Sequence, residues 1–299
     1  MRFGIYCTVW YDIELQPIMI KHYIKTLPQF FIPKKELNLF AGFMANIKTT
    51  WIKNHLIERF VRQYQVNMSD AQEENPRNYA CFNDFFIRRL KPGVRPKAHA
   101  SVVSPVDGVL SEKGPITQGQ LLQAKGWHYS VQSLLACNES LAKNFEDGFF
   151  ATFYLSPKDY HRIHMPIDGT LKKLLYVPGK FFSVQPATVQ VIPQLFSKNE
   201  RLVALFDTPL GLMAMVLVGA AIVGKIGTRW HGDIAHQSKP MILEQPHDES
   251  ITLRQCDELG YFKLGSTVIV LFAKNLAEDW QTLASSGKPI QLFEALTKS

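Results

Sequence analysis

The sequence predicts an α+β protein: a basic helical region over residues 1–66, then a β-rich domain, sandwich- or barrel-like, over residues 67–299. Three observations predict it. Before residue 52, apolar residues recur at gaps of three and four, the spacing of one helical face. After residue 100, short β-branched and aromatic runs alternate with Gly, Pro or Asp, the punctuation of short strands. Between them, Asn75-Pro76, Lys91-Pro92-Gly93 and Arg95-Pro96 mark turns and a boundary.

In chain order, Ile18, Met19, Ile20, Tyr23, Ile24, Leu27, Phe30 and Phe31 form a first apolar stretch that breaks at Pro33. Leu37, Phe40, Phe43, Met44, Ile47 and Trp51 form a second. Residues 1–66 carry nine Lys and Arg against four Asp and Glu, much of the whole chain's net charge of +7. Two readings fit. A basic amphipathic helix lies on an anionic membrane. A core-facing helix gives the same stripe. Phe82–Leu90 predicts a short helix, and another starts at Val131. Strands are expected at Ser101–Val103, Gly108–Leu110, Gly148–Leu155, Leu171–Val177, Val203–Phe206, Leu212–Val218, Ala221–Ile226 and Ser266–Phe272. The tail from Glu278 is polar and is read as helical.

With 299 residues, 46% of them hydrophobic, the chain can bury a sizeable core, and wholesale disorder is excluded. The four cysteines, Cys7, Cys81, Cys137 and Cys256, form no CxxC pair, which excludes a zinc ribbon. They read as free thiols in a reducing compartment. No uninterrupted apolar run reaches the ~18 residues of a spanning helix, and the first residues lack the order of a secretory signal. The chain is therefore expected on the cytosolic side. Its basic balance favours an anionic partner without choosing which one.

Three segments can carry chemistry. Ser104-Pro105-Val106-Asp107-Gly108 places one carboxylate in a turn between apolar strands; an ordinary Asp turn looks the same. Tyr160-His161-Arg162-Ile163-His164-Met165-Pro166 holds two histidines three apart, which share a side on a helical turn. They could ligate a metal, but no HExxH or CxxC completes a site. They could do acid/base work, or be structural. Leu264-Gly265-Ser266-Thr267 precedes an apolar strand; its serine is a turn residue or a nucleophile. It is not a GxSxG elbow, because Val268 stands where the second glycine belongs. Asp107, His164 and Ser266 are together the parts of a triad.

These segments resemble those of the bacterial-type phosphatidylserine decarboxylases, pyruvoyl-dependent enzymes made as proenzymes. So do Phe82–Leu90, Tyr176-Val177-Pro178-Gly179, Phe182-Ser183-Val184, Leu195-Phe196-Ser197-Lys198-Asn199-Glu200-Arg201 and Val218-Gly219-Ala220. The similarity runs from about residue 35 to near the C-terminus; residues 1–18 read as an extension, with Met19 an alternative start.

The resemblance implies a self-cut between Gly265 and Ser266, giving a β chain 1–265 and an α chain 266–299. Ser266 becomes a covalent pyruvoyl group that forms a Schiff base with phosphatidylserine and accepts the electrons released with CO₂. His164 is the implied base for the cut and Asp107 its orienting carboxylate. His161 is the candidate proton donor in decarboxylation, and Ser183 a headgroup contact. No metal is implied. The two chains are expected to stay together as a heterodimer, with further dimerisation open. The expected setting is phospholipid biosynthesis, peripheral on the cytoplasmic side of the cell membrane, with no nucleic-acid partner. Three rivals stand beside this reading. A serine hydrolase would use the same triad on an intact chain. A non-catalytic β module would bind lipid or nucleic acid. A metal enzyme would use the two histidines.

Overall fold

The computed structural model describes residues 22–23, 26–31, 33–124, 127–220, 225–244, 250–263, 266–274, 276–280 and 285–298. The short helix α1 (Pro28–Phe31) leads, across Pro33, to α2 (Lys34–Ala45) and α3 (Thr50–Tyr64). The periodic stretch from Leu37 to Trp51 is thus two helices, because the chain turns at Asn46. Phe40, Phe43 and Trp51 of this stripe, and Leu39 beside it, stay 62–74% exposed, while Leu37, Met44 and Ile47 are half-buried. The next helix, α4 (Phe82–Phe86), is the start of the segment read as helical to Leu90. Ile57 on α3 packs with Phe82, Phe85 and Phe86, so a small apolar cluster straddles the boundary placed at residue 66.

Fifteen strands follow among the described residues. They are β1 (Gly108–Pro115), β2 (Gln120–Ala124), β3 (Trp127–Ser130), β4 (Phe149–Leu155), β5 (Arg162–His164), β6 (Gly169–Val177), β7 (Arg201–Thr208) and β8 (Gly211–Gly219). Then come β9 (Lys225–Thr228), β10 (Gly232–Asp233), β11 (Met241–Glu244), β12 (Thr252–Leu253), β13 (Glu258–Lys263), β14 (Ser266–Phe272) and β15 (Lys288–Ile290). An open antiparallel sheet runs β11-β6-β7-β8-β14-β4-β1-β15, with β12 also on β6. The sheet does not close on itself, so the sandwich-like form is the one adopted. A four-stranded sheet, β10-β9-β13-β5, covers one face, and the hairpin β2-β3 belongs to the other side.

Strand alternation explains the two cores. Val268, Val270 and Phe272 of β14 join Ile163, Ile226 and Phe262 of the smaller sheet. Ile269 and Leu271 point the opposite way, to Leu121, Tyr129 and the helix Val131–Leu135. A strand buried on both faces reads as a continuous apolar run, which is why Ser266–Phe272 is legible in the sequence.

Two expectations differ. Ser101–Val103 forms no strand, only a bridge from Val103 to Ala295. The tail carries a helical turn, Ala277–Trp280, but ends in β15, which pairs Ile290 with Gly108. Its polar sequence hid an edge strand whose partner is far away in the chain. Residues 221–224 of the expected strand Ala221–Ile226 lie outside the described residues, as do residues 1–21.

Candidate active site

Ser266 opens β14 in mid-sheet, opposite Gly219 of β8 and Leu155 of β4. Its Oγ is fully buried and has no hydrogen-bond partner. An unsatisfied buried hydroxyl costs on the order of 1–3 kcal/mol, so its presence calls for an explanation. Gly265, the residue before it, lies outside the described residues.

From Leu155 the chain loops back as β5, held to β13 by Phe262 N–H donating to the His161 carbonyl at 3.0 Å. The two histidines therefore sit on extended backbone, not on a helical turn. Residues three apart on a strand face opposite ways. His161 lies against Phe86 of α4, ring centroids 4.2 Å apart. His164 meets Phe293 edge-on at 5.2 Å.

Each imidazole is held as one tautomer. His161 Nδ1–H donates to the Asp159 carbonyl at 2.8 Å, leaving a buried Nε2 with no partner. Burial pushes the ring from the ordinary 6.5 down to about 3, and the nearby Arg88 charge adds to that. His164 Nδ1–H donates to the Cys256 carbonyl at 2.8 Å, and its Nε2 accepts from the Tyr160 hydroxyl at 3.2 Å. Burial lowers His164 too, against the opposing effect of the Cys256 bond. Burial raises the Tyr160 phenol, which stays protonated and able to donate.

Asp107 is engaged elsewhere. Arg95 donates to its two oxygens at 2.9 and 2.8 Å, and the Leu292 N–H donates at 2.7 Å. Arg95 also reaches Asp70 at 2.9 Å. Asp107, His164 and Ser266 thus share no hydrogen bond in this structure. Ser183 is committed to a local dock: its N–H donates to Gln29 Oε1 at 3.0 Å, and its hydroxyl accepts from Gln185 N–H at 3.3 Å.

A cavity of about 580 Å³ opens at the end of β13 that precedes Ser266 in the chain, although neither Ser266 nor either histidine lines it. Its wall includes Lys263, three residues before the serine, and Glu200, whose carbonyl accepts from the N–H of Gly219, the ladder partner of Ser266. Asn83, one turn from Phe86, lines it from α4, and Asn38 and Gly42 line it from α2. Tyr176 O–H and His236 Nδ1–H donate to Glu200 Oε2 at 2.9 and 2.6 Å. Lys225 and Lys263 flank Asp233 at 3.7 and 2.7 Å. The arrangement offers a buried hydroxyl, a buried neutral imidazole with a bare lone pair, and a cavity with two cations. Among the described residues no cluster of three His, Cys, Asp or Glu gathers to hold a metal.

Sequence reasoning missed four participants. Arg95 was read as part of a turn. Tyr160 was quoted in its segment without a role. The Cys256 carbonyl is presented by a turn with φ +76°, strained for a non-glycine residue. Arg88 is 4% exposed, and its Nη2 donates to the carbonyls of Lys158 and Asp159 at 2.8 and 3.3 Å. Only the Arg-Pro dipeptide at Arg95 carried any local signal, and it pointed to a turn.

The sequence model of the phosphatidylserine decarboxylase family matches residues 82–297, and a second family model, described as PSD, matches residues 24–65. A relative from Legionella pneumophila (strain Lens) is 53% identical over 277 residues, covering 92% of this chain and 97% of its own. One from Acidovorax ebreus is 48% identical over 281 residues, 91% of this chain and 96% of its own. One from Polaromonas sp. (strain JS666) is 46% identical over 284 residues, 93% and 99%. All three bear the name phosphatidylserine decarboxylase proenzyme.

Proposed function

The chain belongs to the phosphatidylserine decarboxylase family, and from that membership we propose how its own residues carry out the work. It decarboxylates phosphatidylserine, which releases CO₂ and leaves phosphatidylethanolamine. The observation that carries the residue-level reading is the orphaned Ser266 Oγ, buried at the first residue of a central strand.

In the first reaction Ser266 Oγ attacks the carbonyl carbon of Gly265 and its proton passes to His164 Nε2. The Gly265–Ser266 amide becomes an ester. Loss of the Ser266 Hα and of the Gly265 carboxylate leaves a dehydroalanine, and water then replaces its nitrogen with oxygen, releasing ammonia. His164 reaches the serine by exchanging its bond from the Tyr160 hydroxyl. Its Nδ1–H, tied to Cys256, keeps the lone pair on Nε2. Asp107 supplies negative charge to this region and, through Leu292, fastens the chain that follows β15. The fit of a pyruvoyl group rests on the same observation: a position with no competing hydrogen bond, enclosed on both sides by strands.

In the second reaction the pyruvoyl group supplies the electron sink for decarboxylation. The chain's own groups bind and shuttle. The cavity takes the headgroup, whose phosphate competes with Asp233 for Lys225 and Lys263. His161 presents Nε2 to the reacting carbon, taking up a proton and then giving it.

The protein sits peripherally on an anionic membrane, on its cytoplasmic face. Support comes from the exposed Leu39, Phe40, Phe43 and Trp51 and from the basic excess of the first 66 residues. No helix among the described residues is long and apolar enough to cross a membrane. The test is intact mass under denaturing conditions. Wild type should give two chains, one ending at Gly265 and one starting with a pyruvoyl group. Ser266→Ala should give one chain of full mass. A cut in Ser266→Ala, or turnover by an intact wild-type chain, would overturn the reading.

A further inference from the structure

A second groove, of about 360 Å³, lies along the N-terminal helices. Leu27 and Phe30 form one wall; Phe182, Val191, Ile192 and Pro193 form the other, and Lys180 and Lys198 belong to its lining. Gln29 fixes the first wall to the second, donating to Thr188 Oγ1 at 3.1 Å and accepting from Ser183 N–H at 3.0 Å. Phe30 rests on Phe182 with ring centroids 5.8 Å apart. The groove is therefore built, yet Leu27 and Phe30 remain 57% and 56% exposed along its open side.

This groove and the polar cavity at Lys263 and Glu200 share one partition. The segment 178–182 is extended and runs against 198–200, with Lys180 N–H donating to the Lys198 carbonyl at 2.8 Å and Glu200 N–H to the Lys180 carbonyl at 3.0 Å. Alternate side chains of an extended segment point opposite ways. Phe181 accordingly lines the polar cavity, while Lys180 and Phe182 line the apolar groove. The segment packs closely on its neighbour: a Cβ on Gly179 would come within 2.3 Å of the Asn199–Glu200 backbone.

We propose that this groove is an acyl-chain subsite for phosphatidylserine, which holds one chain of the lipid whose headgroup occupies the neighbouring cavity. The polar cavity suits the serine and phosphate, the apolar groove suits hydrocarbon, and Lys180 on the partition carries a charge complementary to the phosphate. A volume of about 360 Å³ lies in the ~300–1,000 Å³ range of small-ligand sites. Chain recognition then resides in Leu27, Phe30, Phe182 and Ile192. This inference rests on the placement of the headgroup in the cavity at Lys263 and Glu200.

The test uses the processed protein and monomeric substrates in solution, so that membrane binding plays no part. Dibutanoyl-, dihexanoyl- and dioctanoyl-phosphatidylserine, each below its micelle concentration, are compared by kcat/KM. Wild type should improve as the chains lengthen. Leu27→Gln and Phe30→Ala should lose roughly tenfold on the dioctanoyl lipid and stay within about twofold on the dibutanoyl one, since the lost methylene burial is felt only by long chains. Ile242→Gln, an exposed apolar residue lining neither cavity, should track wild type. Complete processing, read by mass, certifies that each variant is folded. Equal losses at every chain length, or none at any, would overturn the subsite. Uniform loss on all lengths in a Lys263→Ala variant supports the headgroup placement; an unchanged rate there would overturn that placement and the subsite with it.

Discussion

A histidine buried without an opposite charge is held neutral, because burial penalises its cation. His161 is of that kind; His164 is also lowered by burial although Glu258 and Asp107 oppose it, and the two differ in what their Nε2 meets: nothing at His161, the Tyr160 hydroxyl at His164. The difference separates their expected phenotypes. His164→Ala should leave a single full-length chain on a denaturing gel. His161→Ala should still cut but decarboxylate at least about 100-fold more slowly, the usual size of an acid–base contribution. Normal turnover in the His161 variant would remove that residue from the mechanism. Burial also sets a pH dependence. Above the ordinary 6.5, folded and unfolded chains are both neutral at His161. As pH falls toward the folded value of about 3, the unfolded chain takes a proton that the folded one refuses, and stability is lost. The loss is roughly 1.4 kcal/mol for each pH unit in that window. His161→Phe should therefore flatten the fall of the urea midpoint across it. The residue types of the site were legible in the sequence; their hydrogen bonds were not, since Cys256 and Asp159 act through carbonyls that any residue carries.

At the scale of elements, the central strands were the most legible, because a strand buried on both faces must be apolar throughout. The histidine segment was assigned no element from the sequence, because two polar residues three apart fit either period until a partner strand is known. β13 decides it by pairing with β5. The N-terminal stripe was ambiguous for another reason: a packed face and a membrane face have the same sequence pattern. The structure exposes Phe40 and Phe43 at 62% and 69%. Replacing both with Gln should abolish flotation with anionic liposomes while self-cutting proceeds to completion. Unchanged flotation would remove α2 from the membrane contact.

For the whole molecule, the segment 266–299 is less a tail than part of the frame. β14 pairs with β8 and β4 along its full length, β15 pairs with β1, and Leu292 donates to Asp107. After the cut the two chains should co-elute in native size exclusion and separate only in denaturant; separation under native conditions would contradict this frame. Liposome binding should also weaken as salt rises, since exposed charges are screened beyond ~10 Å at 0.1 M. By itself the sequence determined the class of fold and the family, and it nominated candidate residues for the chemistry, because periodicity and short motifs are local in the chain. Only the tertiary structure decided that the sheet stays open, that Asp107 is held by Arg95, and that the histidines face opposite ways. It alone set one extended segment between a polar cavity and an apolar groove. Each of these depends on which distant segments meet, and pairing across the chain leaves no local trace in composition or spacing.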